Sequence, residues 1–387
     1  MGNSSSKQQF SMRMAMTNWI FSPLAGITLK NWGHLLKSHG TSIHMRYWPR
    51  SLFTTLMAFI NSSFAVREQN VYSREIKNME VKSPVFVIGH HRSGTTHLWN
   101  LLTQDNRFAY PSVLQAVFPH TFLVFEDVIH GLAERFAPSK RPQDNVSLNP
   151  DSPIEEERAI CVSTFLSVQM GRHFSQKRDE FKKYLTMRDA SSEERELWKE
   201  TLQTFAQKLL VKYGQDAQLI FKTPDHTAKV KLILEAFPDA RIIHIHRDPY
   251  RVYRSTMKME KTTLPLYAYQ KPEHEHLQEY VLWRYRTMYD ALFEDIKQIP
   301  DGQFIEVSYD EVDKNPLESI QNIYRDLSLP NFEEARPRLK RYIKSIAGYQ
   351  KNRYDDLPRP VMEKIEHQWE PVFTRYGYEK RSNKTDG

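Results

Sequence analysis

The sequence predicts an α/β protein of three layers: a central, mainly parallel sheet between helices, with a helical N-terminal segment and a helical insertion over one end of the sheet. From Val81 onward, short apolar runs alternate with stretches of helical periodicity, the pattern of strands joined by crossover helices. The runs are β-branched or aromatic throughout, as strands buried on both faces require. The first run leads directly into a glycine-bearing loop and then a helix.

The first 80 residues form the N-terminal segment. Met1-Gly2-Asn3-Ser4-Ser5-Ser6-Lys7 fits an N-myristoylation signal, which would anchor the chain in a eukaryotic host and be only a polar start in a bacterium. Residues 10–66 intersperse Trp19, Trp32, Tyr47, Trp48, Phe53, Phe59 and Phe64 with Lys30, Lys37, Arg46 and Arg50. Such a stretch either packs on the parent domain or lies in a membrane interface with its aromatic face. The apolar stretches Met14 to Leu24 and Leu52 to Ile60 are too broken or too short for a secretory signal or a spanning helix. The expectation is a cytoplasmic protein, with peripheral membrane contact as the alternative.

Residues 81–387 form the main domain, with strands expected at Val85 to Ile88, Leu219 to Phe221, Arg241 to Ile245 and Phe304 to Val307. Residues 110–216, turn-rich at Pro138 to Pro153 and helical around 155–190 and 192–213, make an insertion suited to cover an acceptor site. A chain of 387 residues fits one large domain with appendages. Lys and Arg number 54 against 47 Asp and Glu, so the charge of +7 favours anionic partners such as nucleotides, acidic lipid or nucleic acid. No RNA-binding or zinc-finger pattern supports the last of these. Cys161 stands alone in an apolar run, which excludes an intrachain disulfide and a thiolate zinc site and reads as a buried, inert thiol.

Gly89-His90-His91-Arg92-Ser93-Gly94-Thr95-Thr96 has the glycine spacing of a Walker A loop, between a strand and a helix. In that context backbone N–H groups and a helix N-terminus converge on a phosphate, which makes the fold P-loop-like. The bland alternative is a tight turn with capping Ser and Thr. Thr95 occupies the position of the Walker lysine, and the cation stands three residues earlier as Arg92. A guanidinium there can clamp oxygens of a transferring group, with Ser93, Thr95 and Thr96 as further donors. A second element, Arg241-Ile242-Ile243-His244-Ile245-His246-Arg247-Asp248-Pro249, runs from a strand into a helix with Asp248 as N-cap and Pro249 at its first position. Arg247 and Ser255, about two turns on, can both reach a further phosphate.

Arg92-Ser93-Gly94-Thr95-Thr96 followed by Arg247-Asp248-Pro249 and Ser255 resembles the sulfotransferases that use 3′-phosphoadenosine-5′-phosphosulfate (PAPS), above all the broad bacterial group and more distantly the tyrosylprotein sulfotransferases. The likeness continues in Phe221-Lys222-Thr223-Pro224-Asp225-His226-Thr227 and Val307-Ser308-Tyr309-Asp310-Glu311-Val312. The resemblance implies that Arg92, Ser93, Gly94, Thr95 and Thr96 grip the 5′-phosphosulfate, that Arg247 and Ser255 bind the 3′-phosphate, and that Lys222 neutralises the transferring group. His91, inside the loop, is a candidate to orient the donor. No metal is expected.

The acceptor must lose a proton, and the family does not fix the base. Asp151-Ser152-Pro153-Ile154-Glu155-Glu156-Glu157 resembles an acidic stretch of the bacterial group, which puts Glu155 first, then Glu157, His120 and His226. The same stretch also reads as a helix start, with Ser152 as N-cap, Pro153 at N1 and Glu155 closing a capping box. The aromatic insertion and N-terminal segment suggest a lipid-like or small-molecule acceptor, bearing a hydroxyl or an amine. The alternatives are a P-loop kinase, against which Thr95 stands, and a nucleotide-binding or membrane-attached protein that transfers nothing. His246-Arg247-Asp248 also matches part of a protein-kinase loop, but Tyr253 occupies the position of its asparagine.

Overall fold

The computed structural model describes residues 23–136, 150–348 and 357–382; Gly2 and residues 138–149 of the turn-rich stretch lie outside them. Five parallel strands form the sheet: β1 (Val85–Ile88), β2 (Phe108–Ala109), β3 (Gln218–Lys222), β4 (Arg241–His246) and β5 (Phe304–Ser308), in the order β2-β3-β1-β4-β5. Four match the expected runs, extended by a residue or two where polar ends still pair. β2 was not anticipated, because two residues make no run.

The continuous apolar runs have a direct cause in the layers. Phe86, Ile88, Phe221 and Ile242 join the core on one face of the sheet, and Val85, Val87, Ile220, Ile243 and Ile245 the core on the other. Successive side chains point to opposite faces, so a strand covered on both sides has no polar position to spare. β1 lies at the centre, and the chain runs from it to one side and later to the other. The crevice beyond the carboxyl ends of β3, β1 and β4 is therefore a topological switch point, where open parallel sheets bind ligands.

The helices that matter below are α1 (Leu29–His39), α2 (Trp48–Asn78), α3 (Thr95–Leu102), α4 (Glu157–Thr164), α5 (Ser192–Tyr213), α6 (Pro249–Tyr267) and α7 (Leu277–Asp295). Asp248 caps α6 through the Arg251 N–H at 2.9 Å, with Pro249 in the first turn, as its sequence dictates. The helix start expected at Ser152 is absent. Pro153 stands in an antiparallel bridge to Ser112, and α4 begins only at Glu157. A bridge to a distant part of the chain, rather than a helix start, fixes this stretch. Cys161 is buried, and burial pushes its thiol up to about 12, an inert sulfur.

The N-terminal segment packs on the main domain: Leu24, Ala25 and Ile27 are buried completely or nearly so, and Trp32 and Leu35 follow. It does not bury everything it has, since Trp48, Leu52, Leu56 and Phe59 of α2 stay exposed. Among the described residues no helix is long and apolar enough to cross a membrane.

Candidate active site

The loop after β1 is shaped by its two glycines. Gly89 has φ +142° and a Cβ there would overlap the Ile245 carbonyl oxygen of β4; Gly94 has φ +106° and a Cβ would strike the Tyr309 ring. Arg92 between them also takes a left-handed φ of +71°. The Gly89 N–H donates to Thr227 Oγ1 at 2.7 Å, fastening the loop to the segment after β3. Gly94 is the N-cap of α3, so Thr95 and Thr96 open that helix at the positive end of its dipole.

The two elements read separately in the sequence meet in space. Arg92 Nε donates to Ser255 Oγ at 2.8 Å, from the loop after β1 to α6. Arg247 leaves the end of β4 and lies 3.8 Å over the Tyr309 ring, the ring that also bounds Gly94. Ser93 Oγ and Arg247 Nε are buried atoms with no hydrogen-bond partner among the described residues. Two orphaned donors beside a helix N-terminus suit an anion.

His91 does not face this crevice. Its ring turns inward, where Arg284 Nη2 approaches Nε2 at 2.6 Å and Asp225 lies at 3.3 Å. Burial, reinforced by Arg284, pushes His91 down to about 4, so the imidazole is neutral and its Nε2 accepts from Arg284. Asp225 is held well below the usual carboxylate range: burial opposes its charge, but the Arg284 guanidinium beside it outweighs burial. Gln169 donates to its other oxygen at 3.1 Å, and Arg284 also reaches Glu260, which pairs with Arg172 at 2.7 Å. His91 therefore anchors the loop from behind, a role the one-dimensional motif could not distinguish from donor contact.

Lys222 ends β3 with its side chain buried, and its Nζ lies 2.5 Å from Glu155 Oε1 and 5.0 Å over the Trp99 ring of α3. Glu155 also lies near Arg158, at 3.8 Å, and Arg158 donates to the Tyr267 hydroxyl at 3.1 Å. Thus Glu155, first among the candidate bases, is the one beside Lys222.

The other candidates sit elsewhere. His226 is fully enclosed, with Nδ1 2.9 Å from Glu156 and Nε2 3.1 Å from Glu157. Glu157, equally buried, also takes Lys229 at 2.9 Å and Ser167 at 2.8 Å. Both side chains are completely buried, so neither offers a face to an acceptor. His120 neighbours Lys208 of α5, which donates to the Pro119 carbonyl and pairs with Glu68 of α2; burial, then Lys208, pushes it down to about 4. That position belongs to the packing of α2 on α5.

Burial opposes the charge on His226, but Glu156 and Glu157 outweigh it and hold the imidazole above its ordinary value. Such a group contributes fully below about pH 6.5 and loses its contribution as pH rises through the raised value. His226→Gln is thus expected to cost more stability at pH 6 than at pH 9, by about 1.4 kcal/mol per unit separating the folded and unfolded values. Paired urea titrations check it; a pH-independent difference would mean the ring is not charged.

Tyr309 and Arg284 were not singled out by sequence reasoning. Tyr309 lay within a stretch resembling the family but carried no chemical signal there. Arg284 lies in α7, 59 residues beyond the Asp225 it binds.

Residues 84–334 match the model of the sulfotransferase family. The omega-hydroxy-beta-dihydromenaquinone-9 sulfotransferase Stf3 of Mycobacterium bovis is 29% identical over 372 residues, covering 94% of this chain and 93% of that protein, and the Mycobacterium tuberculosis protein of the same name matches equally. Among solved structures, sulfotransferase STF9 from Mycobacterium avium superimposes with a TM-score of 0.63 at 18% identity, over 92% of this chain and 97% of that one. STF1 from Mycobacterium tuberculosis gives 0.57 at 16%, over 88% and 91%. These two share the fold. With the family model spanning the sheet and all three loops at its carboxyl ends, the chain belongs to the sulfotransferase family.

Proposed function

We propose that the protein transfers a sulfuryl group from PAPS to the hydroxyl of a lipid-like alcohol. The observation that carries the donor is the Arg92–Ser255 contact, which joins two anion-binding elements across the switch point. A nucleotide with separate phosphosulfate and 3′-phosphate groups fits that pair, and the orphaned Ser93 Oγ and Arg247 Nε suit one group each. Thr95 in the lysine position speaks against magnesium-ATP. The acceptor class is supported by the relative at 29% identity, whose name specifies a hydroxylated dihydromenaquinone.

PAPS supplies the activated sulfuryl group. The chain's task is to hold fixed positive charge where negative charge grows and to receive one proton. Ser93, Thr95, Thr96 and the Gly94 backbone cradle the 5′ end, and Arg247 with Ser255 holds the 3′-phosphate. Arg92 and Lys222 flank the transferring group. Glu155, in contact with Lys222 and with its side chain 19% exposed, takes the acceptor's proton.

Thermal shift tests the donor. PAP, the desulfated product, is expected to raise the melting temperature and magnesium-ATP to leave it unchanged, because only a ligand of the folded state stabilises it. Stabilisation by magnesium-ATP alone would sink the proposal. Arg247→Ala is expected to weaken PAP binding by roughly 10–100-fold, the loss of one charged hydrogen-bonding partner worth about 1.5–3 kcal/mol.

A further inference from the structure

α2 carries a second apolar stripe on its outer face, where an ordinary surface helix is polar. Its buried residues are Arg50, Thr54, Ala58, Asn61, Glu68 and Ile76, and Met57, Ile60 and Phe64 pack beside them on the core. The polar members are all bonded within the protein: Arg50 Nη1 to the Ala268 carbonyl at 2.6 Å, Thr54 Oγ1 with the Tyr269 hydroxyl at 2.8 Å, Asn61 Nδ2 to the Ala25 carbonyl at 2.8 Å, and Glu68 to Lys208. Two residues before Arg50, Thr54, Ala58, Asn61 and Glu68 in turn, about 200° around the helix, stand Trp48, Leu52, Leu56, Phe59 and Val66, from 58% to 73% exposed. Met45, 70% exposed, precedes them. The inward contacts fix the roll of the helix, so the apolar stripe cannot turn in.

The segment that leads up to and carries this stripe has charge of one sign. Residues 1–67 contain seven Lys and Arg (Lys7, Arg13, Lys30, Lys37, Arg46, Arg50 and Arg67) and no Asp or Glu. The rest of the chain is balanced, 47 basic against 47 acidic, so the entire formal excess of +7 resides in this segment. Lys30, Lys37, Arg46 and Arg67 are exposed. A large apolar patch needs a partner. A second copy paired symmetrically through this face would set one +7 segment against another. An anionic bilayer surface satisfies both features, taking the apolar side chains below its headgroups and the cations among them.

We propose that α2, with α1 and the turn between them, seats the protein on an anionic lipid surface through Met45, Trp48, Leu52, Leu56 and Phe59. The seat lies close to the site. Ala268 and Tyr269, which receive Arg50 and Thr54, directly follow Tyr267, whose hydroxyl binds Arg158 beside Glu155 and Lys222. A hydroxyl on a membrane-dissolved chain would thus be delivered from the surface on which the enzyme rests.

The test is flotation of the full chain, produced without an N-myristoyltransferase, with phosphatidylcholine vesicles that contain or lack phosphatidylglycerol. The protein is expected to float with the anionic vesicles, less so at high salt, and not with the neutral ones. Leu52→Ser/Leu56→Ser/Phe59→Ser is expected to weaken flotation at least tenfold while retaining the PAP thermal shift, which certifies its fold. Lys37→Glu/Arg46→Glu, which leaves the apolar stripe intact, is expected to lose the preference for anionic vesicles. No flotation of the wild type, undiminished flotation of a folded triple variant, or a wild-type dimer that the triple variant dissociates without any vesicle binding would each overturn the inference. PAP stabilisation without flotation ends this inference alone, and flotation without PAP stabilisation ends the donor assignment alone.

Discussion

Lys222→Ala is expected to slow sulfuryl transfer by about 10²–10³-fold, the usual cost of deleting one fixed group that stabilises developing charge, or ~2.7–4 kcal/mol of barrier, while the PAP thermal shift persists. The split follows from where Lys222 sits. It leaves the end of β3 with Nζ between Glu155 and the face of Trp99, on the strand next to the one that carries the phosphate loop. Arg247 follows β4 and Ser255 stands in α6, so replacing a side chain at the end of β3 leaves those two nucleotide contacts in place. It also leaves Glu155 short of a partner. Breaking a fully buried pair costs about 3–5 kcal/mol, but Glu155 is partly open to solvent and keeps Arg158 nearby, so the stability cost should fall below that range. Lys222→Met, which keeps the stem against Trp99, separates the two effects. It should recover stability and not rate. Equal loss of PAP binding in Lys222→Ala and Arg247→Ala would remove the division of labour between transfer and binding.

The legible parts of the molecule are those where a local pattern and its tertiary role coincide. β1, β3, β4 and β5 were readable because burial on both faces forces uninterrupted apolar runs, and the α6 start because Asp248 and Pro249 satisfy it without outside help. Arg92, Arg247, Ser255 and Lys222 were readable as candidates because all leave strand ends or follow them. Whether Arg92 and Ser255 touch was not, since 163 residues separate them and only the β1–β4 pairing brings them together. The start at Ser152 failed for the converse reason: the stretch is held by a bridge between Pro153 and Ser112, 41 residues earlier, beside which the Val113 N–H donates to the Ser152 carbonyl at 3.0 Å. His91 and His226 show a third case. A histidine in a motif is equally compatible with solvent, ligand or core, and only the buried Arg284 and Glu156 beside them decide. The outward stripe of α2 was visible as aromatic content but not as a face, because the residues that fix its roll, Arg50 and Glu68, bind Ala268 and Lys208 far along the chain.

Gly89→Ala is expected to abolish the PAP thermal shift at ligand concentrations that saturate the wild type. At φ +142° an alanine is strained by about 1–3 kcal/mol, and its Cβ meets the backbone oxygen of Ile245, in the middle of the sheet, with Ser93 Oγ 2.8 Å away. Neither β4 nor its partner β1 can withdraw, since both are paired on each side. The loop must therefore move, and it takes with it the Ser93 hydroxyl, Arg92 and the Thr227 contact that fastens it. If the loop relaxes fully, the strain reappears as the cost of returning to the anion-binding shape: ~3 kcal/mol corresponds to roughly 10²-fold in affinity. If it does not relax, the same energy appears as lost stability. Gly94→Ala is milder by this reasoning, because the obstructing atoms belong to the Tyr309 ring, which can swing, though at the expense of its stacking on Arg247. Gly214→Ala is the control. It has φ +100° but nothing within 4 Å of the added carbon, so it should lower the melting temperature modestly and leave PAP binding intact. A Gly89→Ala protein that binds PAP as the wild type does would mean that the loop after β1 is not the cradle.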